Sequence, residues 1–191
     1  MKYFAASLLI VMSLGTGLAH AQSTPTASRL AVDVAAGFTS IHANEGPGQC
    51  GCFFINGGSG EFSVTNSHDL SFVTNVGGGT TSNINNIGQN LTLYTVLEGA
   101  RYTLGHGKLA PFGEAFVGIS HTASNYVIYK NTTSAAAMTG GGLDLRLSSR
   151  FAIRAAEVDY LFTSSPNGQN NFQNQLRLTA GIVIHLNKGG R

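Results

Sequence analysis

The chain has 191 residues, and only 10% of them are Asp, Glu, Lys or Arg, far below the roughly 25% of an ordinary soluble domain, which excludes a densely charged surface as its means of staying dispersed. A formal charge of +2 without any Lys/Arg run excludes nucleic acid and anionic surfaces as expected partners. With 25 Gly, 11 Phe, 6 Tyr, 4 Pro and no Trp, the balance suits twisted strands and tight turns better than helices.

In chain order, Lys2 supplies a positive start, residues 4–14 an apolar run and Ala19-His20-Ala21 a small-x-small cleavage site. Residues 1–21 are therefore expected to be a signal peptide and 22–191 a single mature domain. The apolar run is shorter than the ~20 residues a membrane-spanning helix requires, and no Cys follows the cleavage site to carry a lipid.

Past Gln22 the sequence breaks into eight segments of period-two alternation, separated by Gly, Asn, Ser and Pro clusters. Residues 30–41 place Leu30, Val32, Val34, Ala36 and Phe38 opposite Asp33, Ala35, Gly37 and Thr39. Cys50 and Cys52 follow in a loop. Their spacing is too tight for a framework disulfide, and no second pair completes a metal site, so two loop thiols or a local bridge are expected. Residues 57–65 set Phe62 and Val64 against Ser59, Glu61 and Ser63, and residues 70–78 set Phe72 and Val76 against Ser71 and Asn75. Residues 91–104 alternate Gly99, Arg101 and Thr103 with Ala100, Tyr102 and Leu104.

Residues 110–121 set Gly113, Ala115, Val117 and Ile119 against Glu114, Gly118 and Ser120, and residues 138–148 alternate Gly140, Gly142, Asp144 and Arg146 with Gly141, Leu143, Leu145 and Leu147. In residues 151–162 the phase slips, because Phe151 and Ile153 share one parity and Val158, Tyr160 and Phe162 the other. One extra residue at Ala155-Ala156, a β-bulge, repairs it and brings Arg154, Glu157 and Asp159 onto one side. The last segment, residues 176–186, turns Leu176, Leu178, Ala180, Ile182, Ile184 and Leu186 away from Arg177, Thr179, Gly181 and His185.

Connections after the second, fourth and sixth segments are short; those after the first, third, fifth and seventh, at 42–56, 79–90, 122–137 and 163–175, read as long. Asp33, Glu61, Arg101, Glu114, Asp144, Arg146, Arg154, Glu157, Asp159 and Arg177 all sit on the face opposite the aliphatic one. A soluble barrel buries its apolar face, but here outward charges are too few for that. The pattern is consistent when inverted, with aliphatics facing lipid and charges filling a closed lumen, since eight strands leave an interior only wide enough for side chains. The expected charge network is Asp33, Arg101, Glu114, Asp144, Arg146, Arg154, Glu157, Asp159 and Arg177. Glu98 is the misfit, sharing parity with Tyr94, Val96, Ala100 and Tyr102; either a second bulge lies near Leu97 or Glu98 meets an interface. Phe38, Phe62, Tyr102, Phe151, Tyr160 and Phe162 are placed to form aromatic girdles.

These features resemble the small OmpA/OmpX-type outer-membrane barrels of the porin superfamily, eight-stranded antiparallel up-and-down transmembrane β-barrels. The last segment also matches their assembly signal through Thr179, Gly181, Ile184 and Leu186, although the family ends on Phe where this chain has Leu186 and then residues 187–191. The resemblance implies export to the outer membrane of a Gram-negative envelope, no cofactor, and a monomer in contact with outer-membrane lipid, lipopolysaccharide and the assembly machinery. Its exposed loops, rich in Asn, Ser, Thr and Gly, suit a surface glycan or protein ligand.

Catalysis is not expected. Outer-membrane lipid A deacylases carry His-x-Ser on their final strand, where this chain reads His185-Leu186-Asn187. Ser124, three positions from His121, lies at a strand exit unsuited to a triad. The Gly-rich runs precede no helix and lack the Lys-Ser/Thr of a phosphate loop. The expected role is structural or surface interaction; a narrow ion or solute pore and a soluble calycin-like periplasmic carrier of an apolar ligand are the alternatives.

Overall fold

The computed structural model describes residues 30–44, 52–66, 69–84, 88–105, 107–125, 131–166 and 171–187. The expected signal peptide, Cys50 and the trailing residues 188–191 lie outside them. Eight strands, β1 (Ala31–Asn44), β2 (Cys52–Thr65), β3 (Leu70–Ile84), β4 (Gln89–Thr103), β5 (Leu109–Ser124), β6 (Thr132–Arg146), β7 (Phe151–Thr163) and β8 (Gln173–Asn187), follow one another around the sheet. β1 pairs antiparallel with β8, so the sheet closes into an all-antiparallel up-and-down barrel without a free edge.

Alternation dictates the two faces. On β7, Ala152, Arg154, Glu157, Asp159, Leu161 and Thr163 are buried while Phe151, Ile153, Val158 and Tyr160 are exposed. The change of phase falls where the sequence demands it: the pairing of β7 with both β6 and β8 shifts between Arg154 and Glu157. One added residue there keeps the aliphatic side chains outward on both halves of the strand.

Several strands run further than their apolar alternation does. β2 begins at Cys52 and β6 at Thr132, five to six residues before the expected starts: the apolar Phe53-Phe54-Ile55 continues the ladder with β1, and the small and hydroxyl residues at 132–137 continue that with β5. Ser40 Oγ also donates to Asn56 Oδ1 at 2.8 Å across β1 and β2. This shortens the supposed long loops. The connection expected at 79–90 shrinks to 85–88, as short as the turns at the other end, because Thr80 and Thr92 pair across the β3–β4 hairpin, and Gly88 leads into β4 with a φ of 73°.

The lumen is stacked in layers. Ile41, Ile55, Leu93, Phe116, Ala136, Met138 and Leu161 form an apolar cluster toward the long-loop end. Below it lies a layer of buried charge, and below that a small group of Ala35, Ala152 and Val183. Outside, Phe38, Phe72, Val76, Val117, Ile119, Leu178 and Ile182 are exposed.

Candidate functional site: the ionic layer of the lumen

The charged layer draws side chains from nearly every strand, with β2 to β6 each supplying one inward polar residue and β7 supplying Arg154, Glu157 and Asp159. Glu61 of β2 is its hub. Its Oε2 accepts from Arg101 Nη2 of β4 at 2.8 Å and from Arg154 Nη1 of β7 at 2.6 Å, and its Oε1 accepts from Asn75 Nδ2 of β3 at 2.8 Å. Arg101 Nε also donates to Glu114 Oε2 of β5 at 2.6 Å.

Arg154 reaches further partners. Its Nη1 donates to Glu157 Oε2 at 2.6 Å across the bulge, and its Nε to Asp144 Oδ1 of β6 at 3.0 Å. Arg177 of β8 closes the ring: Nη2 donates to Glu157 Oε1 at 3.1 Å, Nη1 to Asn75 Oδ1 at 3.1 Å, and Nε to Thr179 Oγ1 at 3.2 Å. Thr179 in turn shares a hydrogen bond with Thr39, which donates to Ser59, so the polar network touches all eight strands. Arg101, Arg154 and Arg177 are each less than a tenth exposed. Burial of charges without partners is costly, and convergent hydrogen bonds of this kind offset that cost.

The packing around the charges is equally specific. The Phe112 ring lies 4.4 Å from the Arg101 guanidinium carbon and 4.7 Å from that of Arg154, so both cations meet an aromatic π surface. Gly142 leaves room for that ring, since a Cβ there would stand 2.7 Å from Phe112 Cζ. Gly140 does the same for Asp159, whose Oδ1 would lie 2.3 Å from a Cβ. At all three positions of the Gly140–Gly142 run, however, the first atom a Cβ would meet is a backbone oxygen of a neighbouring strand, that of Val158, Phe112 or Ala156, so the run also lets β5, β6 and β7 approach closely.

Glu61, Glu114 and Glu157 bring carboxylate oxygens within 4.8 Å of one another, a donor set that suits a hard cation in isolation. Arg101 and Arg154 occupy that gap with their guanidiniums, so the cationic role at the centre is already filled by the chain. Asp159 is buried with neither oxygen hydrogen-bonded; its nearest cation is Arg177 Nε at 3.7 Å. A cavity of about 10 Å³ borders Ser59, Glu61, Arg154 and Thr179, on the order of one water.

Not every expected member joins this layer. Arg101, Glu114, Asp144, Arg154, Glu157, Asp159 and Arg177 do, together with Glu61 and Asn75. Asp33 faces inward but pairs elsewhere: its Oδ1 lies 2.7 Å from His185 Nδ1, near the short-turn end. Arg146 turns to that rim as well, where Nη1 donates to Gly107 O at 3.3 Å. Both belong to the ends of their strands, and alternation reports the face but not the depth. Cys52 opens β2 and is exposed. Of the assembly-signal positions, Thr179 and Gly181 point inward, whereas Ile184 and Leu186 point outward. The members missing from the expected network are Glu61, a charged residue already on the inward face, and the uncharged Asn75, Phe112 and Met138, which only inward parity marked.

No known protein-family profile matches the chain, and no curated protein sequence does. Among solved structures, the chain is similar to Neisserial surface protein A, at 16% identity and TM-score 0.61, covering 80% of this chain and 96% of that one. It is also similar to Ail, the attachment invasion locus protein of Yersinia pestis, at 12% identity and TM-score 0.56 over 82% and 99% of the two chains. The outer membrane protein OprG of Pseudomonas aeruginosa matches at 8% identity and TM-score 0.55 over 84% and 98%. The fold is that of the small eight-stranded outer-membrane barrels.

Proposed function

We propose that the chain is an outer-membrane barrel whose ionic layer locks a closed scaffold, so that its work is done by the loops it presents rather than by conduction or catalysis. The observation that carries this reading is the inversion of polarity: buried arginines and carboxylates inside, exposed aliphatic and aromatic side chains outside. Water is a poor solvent for such an exterior, and a bilayer is a good one. The alternatives fit less well. A carrier of an apolar ligand requires an empty apolar lumen, and a pore requires a continuous polar path, whereas here side chains fill both layers.

By the geometry of such barrels, the turns at 66–69, 104–108 and 147–150 face the periplasm and the connections at 45–51, 85–88, 125–131 and 164–172 face outward. Ail has been crystallised with the heparin analogue sucrose octasulfate. The outward connections of this chain contain Lys130 as their one basic residue, so a polyanion is disfavoured and a neutral glycan or protein surface, bound through Asn, Gln and Ser, is preferred.

Fractionation of a Gram-negative host expressing the full chain tests the reading. The protein should remain with the outer membrane, and an epitope inserted within 164–172 should bind antibody on intact cells while one at Gly107 should not. Recovery in the periplasmic extract, or antibody binding at Gly107 instead, would overturn it.

A further inference from the structure

Glu98 keeps its anomalous parity in the structure. β4 pairs continuously with β3 and β5 around it, Glu98 standing opposite Thr74 and Val117 without a register shift, so of the two alternatives the bulge near Leu97 does not occur and the carboxylate points outward. It lies four residues from each of two exposed tyrosines, Tyr94 and Tyr102. Those tyrosines mark the two edges of the apolar band, so Glu98 sits near its middle, where a charge costs most. Its outward neighbours Val96, Ala100, Val117 and Val76 are apolar.

Outward polar side chains toward the edges of this band are satisfied within the chain. Ser40 pairs with Asn56, Thr80 with Thr92, His121 with Thr133, and Tyr160 with Asn174, while Thr139 Oγ1 donates to Glu114 O. Thr74 and Glu98, adjacent across β3 and β4, make no side-chain hydrogen bond or ion pair among the described residues. A hydroxyl donor beside a carboxylate acceptor is a self-complementary pair: about a two-fold axis, Thr74 of one copy faces Glu98 of the other, and the reverse. Ala100 and Ala115, paired with each other two positions along β4 and β5, are exposed and small, while Val117 beside Glu98 is exposed and offers apolar surface around the polar pair.

We propose that the outer faces of β3, β4 and β5 associate with a second copy of this chain inside the membrane, through reciprocal Thr74–Glu98 hydrogen bonds. The proposal rests on the membrane reading given above. It departs from the expected monomer.

The test is energy transfer between two populations of the full mature chain in phosphatidylcholine vesicles, labelled at Gly107→Cys in a background with Cys50 and Cys52 replaced by Ser. Flotation shows whether the protein is in the membrane at all, and heat-modifiable gel migration shows that each variant is folded. Transfer above the random-proximity level should rise with the protein-to-lipid ratio as for a dimer. Glu98→Val and Thr74→Val should each weaken association about tenfold, or about 1.4 kcal/mol, because each removes both reciprocal bonds. Glu98→Gln, which keeps an acceptor, should associate like the wild type, as should Leu178→Val on the far face. If Glu98→Val does not fold, Thr74→Val decides. Floated, folded wild type with only random transfer, or valine variants that associate as the wild type does, would overturn the proposal, whereas protein that fails to float defeats the membrane reading instead.

Discussion

At the scale of single residues, the ionic layer makes unequal demands on its members. Arg154 carries Glu61, Asp144 and Glu157 at once, so Arg154→Ala leaves two buried carboxylates and the half-buried Asp144 short of a donor and should destabilise the barrel by about 3–5 kcal/mol. Leu145, half-buried on the outer face, exchanges one apolar surrounding for another on unfolding from a bilayer, and Leu145→Ala should cost less. Urea titration in lipid vesicles measures both; equal losses would mean that the charges are solvated. That such residues face inward was readable from period two alone. Which of them meet was not, because depth depends on strand register: Asp33 and Glu61 share a face, yet one meets His185 and the other two arginines.

At the scale of elements, the bulge in β7 is what reconciles one strand with two phases. Deleting Ala155 would remove the extra residue and force either the Phe151–Ile153 half or the Val158–Tyr160 half into the lumen. The expected result is a chain that loses heat-modifiable migration, while deletion of Asn171, in the connection between β7 and β8, retains it. Retained folding after loss of Ala155 would show that the register can slip elsewhere. The slip in parity made the bulge visible in the sequence. The strand ends were not visible, since Thr80–Ile84 and Thr132–Ala136 pair through backbone and hydroxyl groups and carry little apolar alternation. Polar residues in a hairpin above the band look like loop residues until pairing is known.

For the whole molecule, closure and inversion are linked. An apolar cluster over a charged layer leaves no continuous polar path among the described residues, so the protein reconstituted in a planar bilayer should pass little or no steady current. A large stable conductance would instead make the charges the lining of a water-filled channel. Inversion itself is tested most directly by fluorescence, because the chain has no Trp and each introduced one reports alone. Val117, 69% exposed, and Phe116, 2% exposed, are neighbours on opposite faces of β5. With mid-chain brominated lipids, Val117→Trp should be strongly quenched and Phe116→Trp weakly. The opposite order, or no quenching at either position while the protein remains soluble without lipid, would contradict the account.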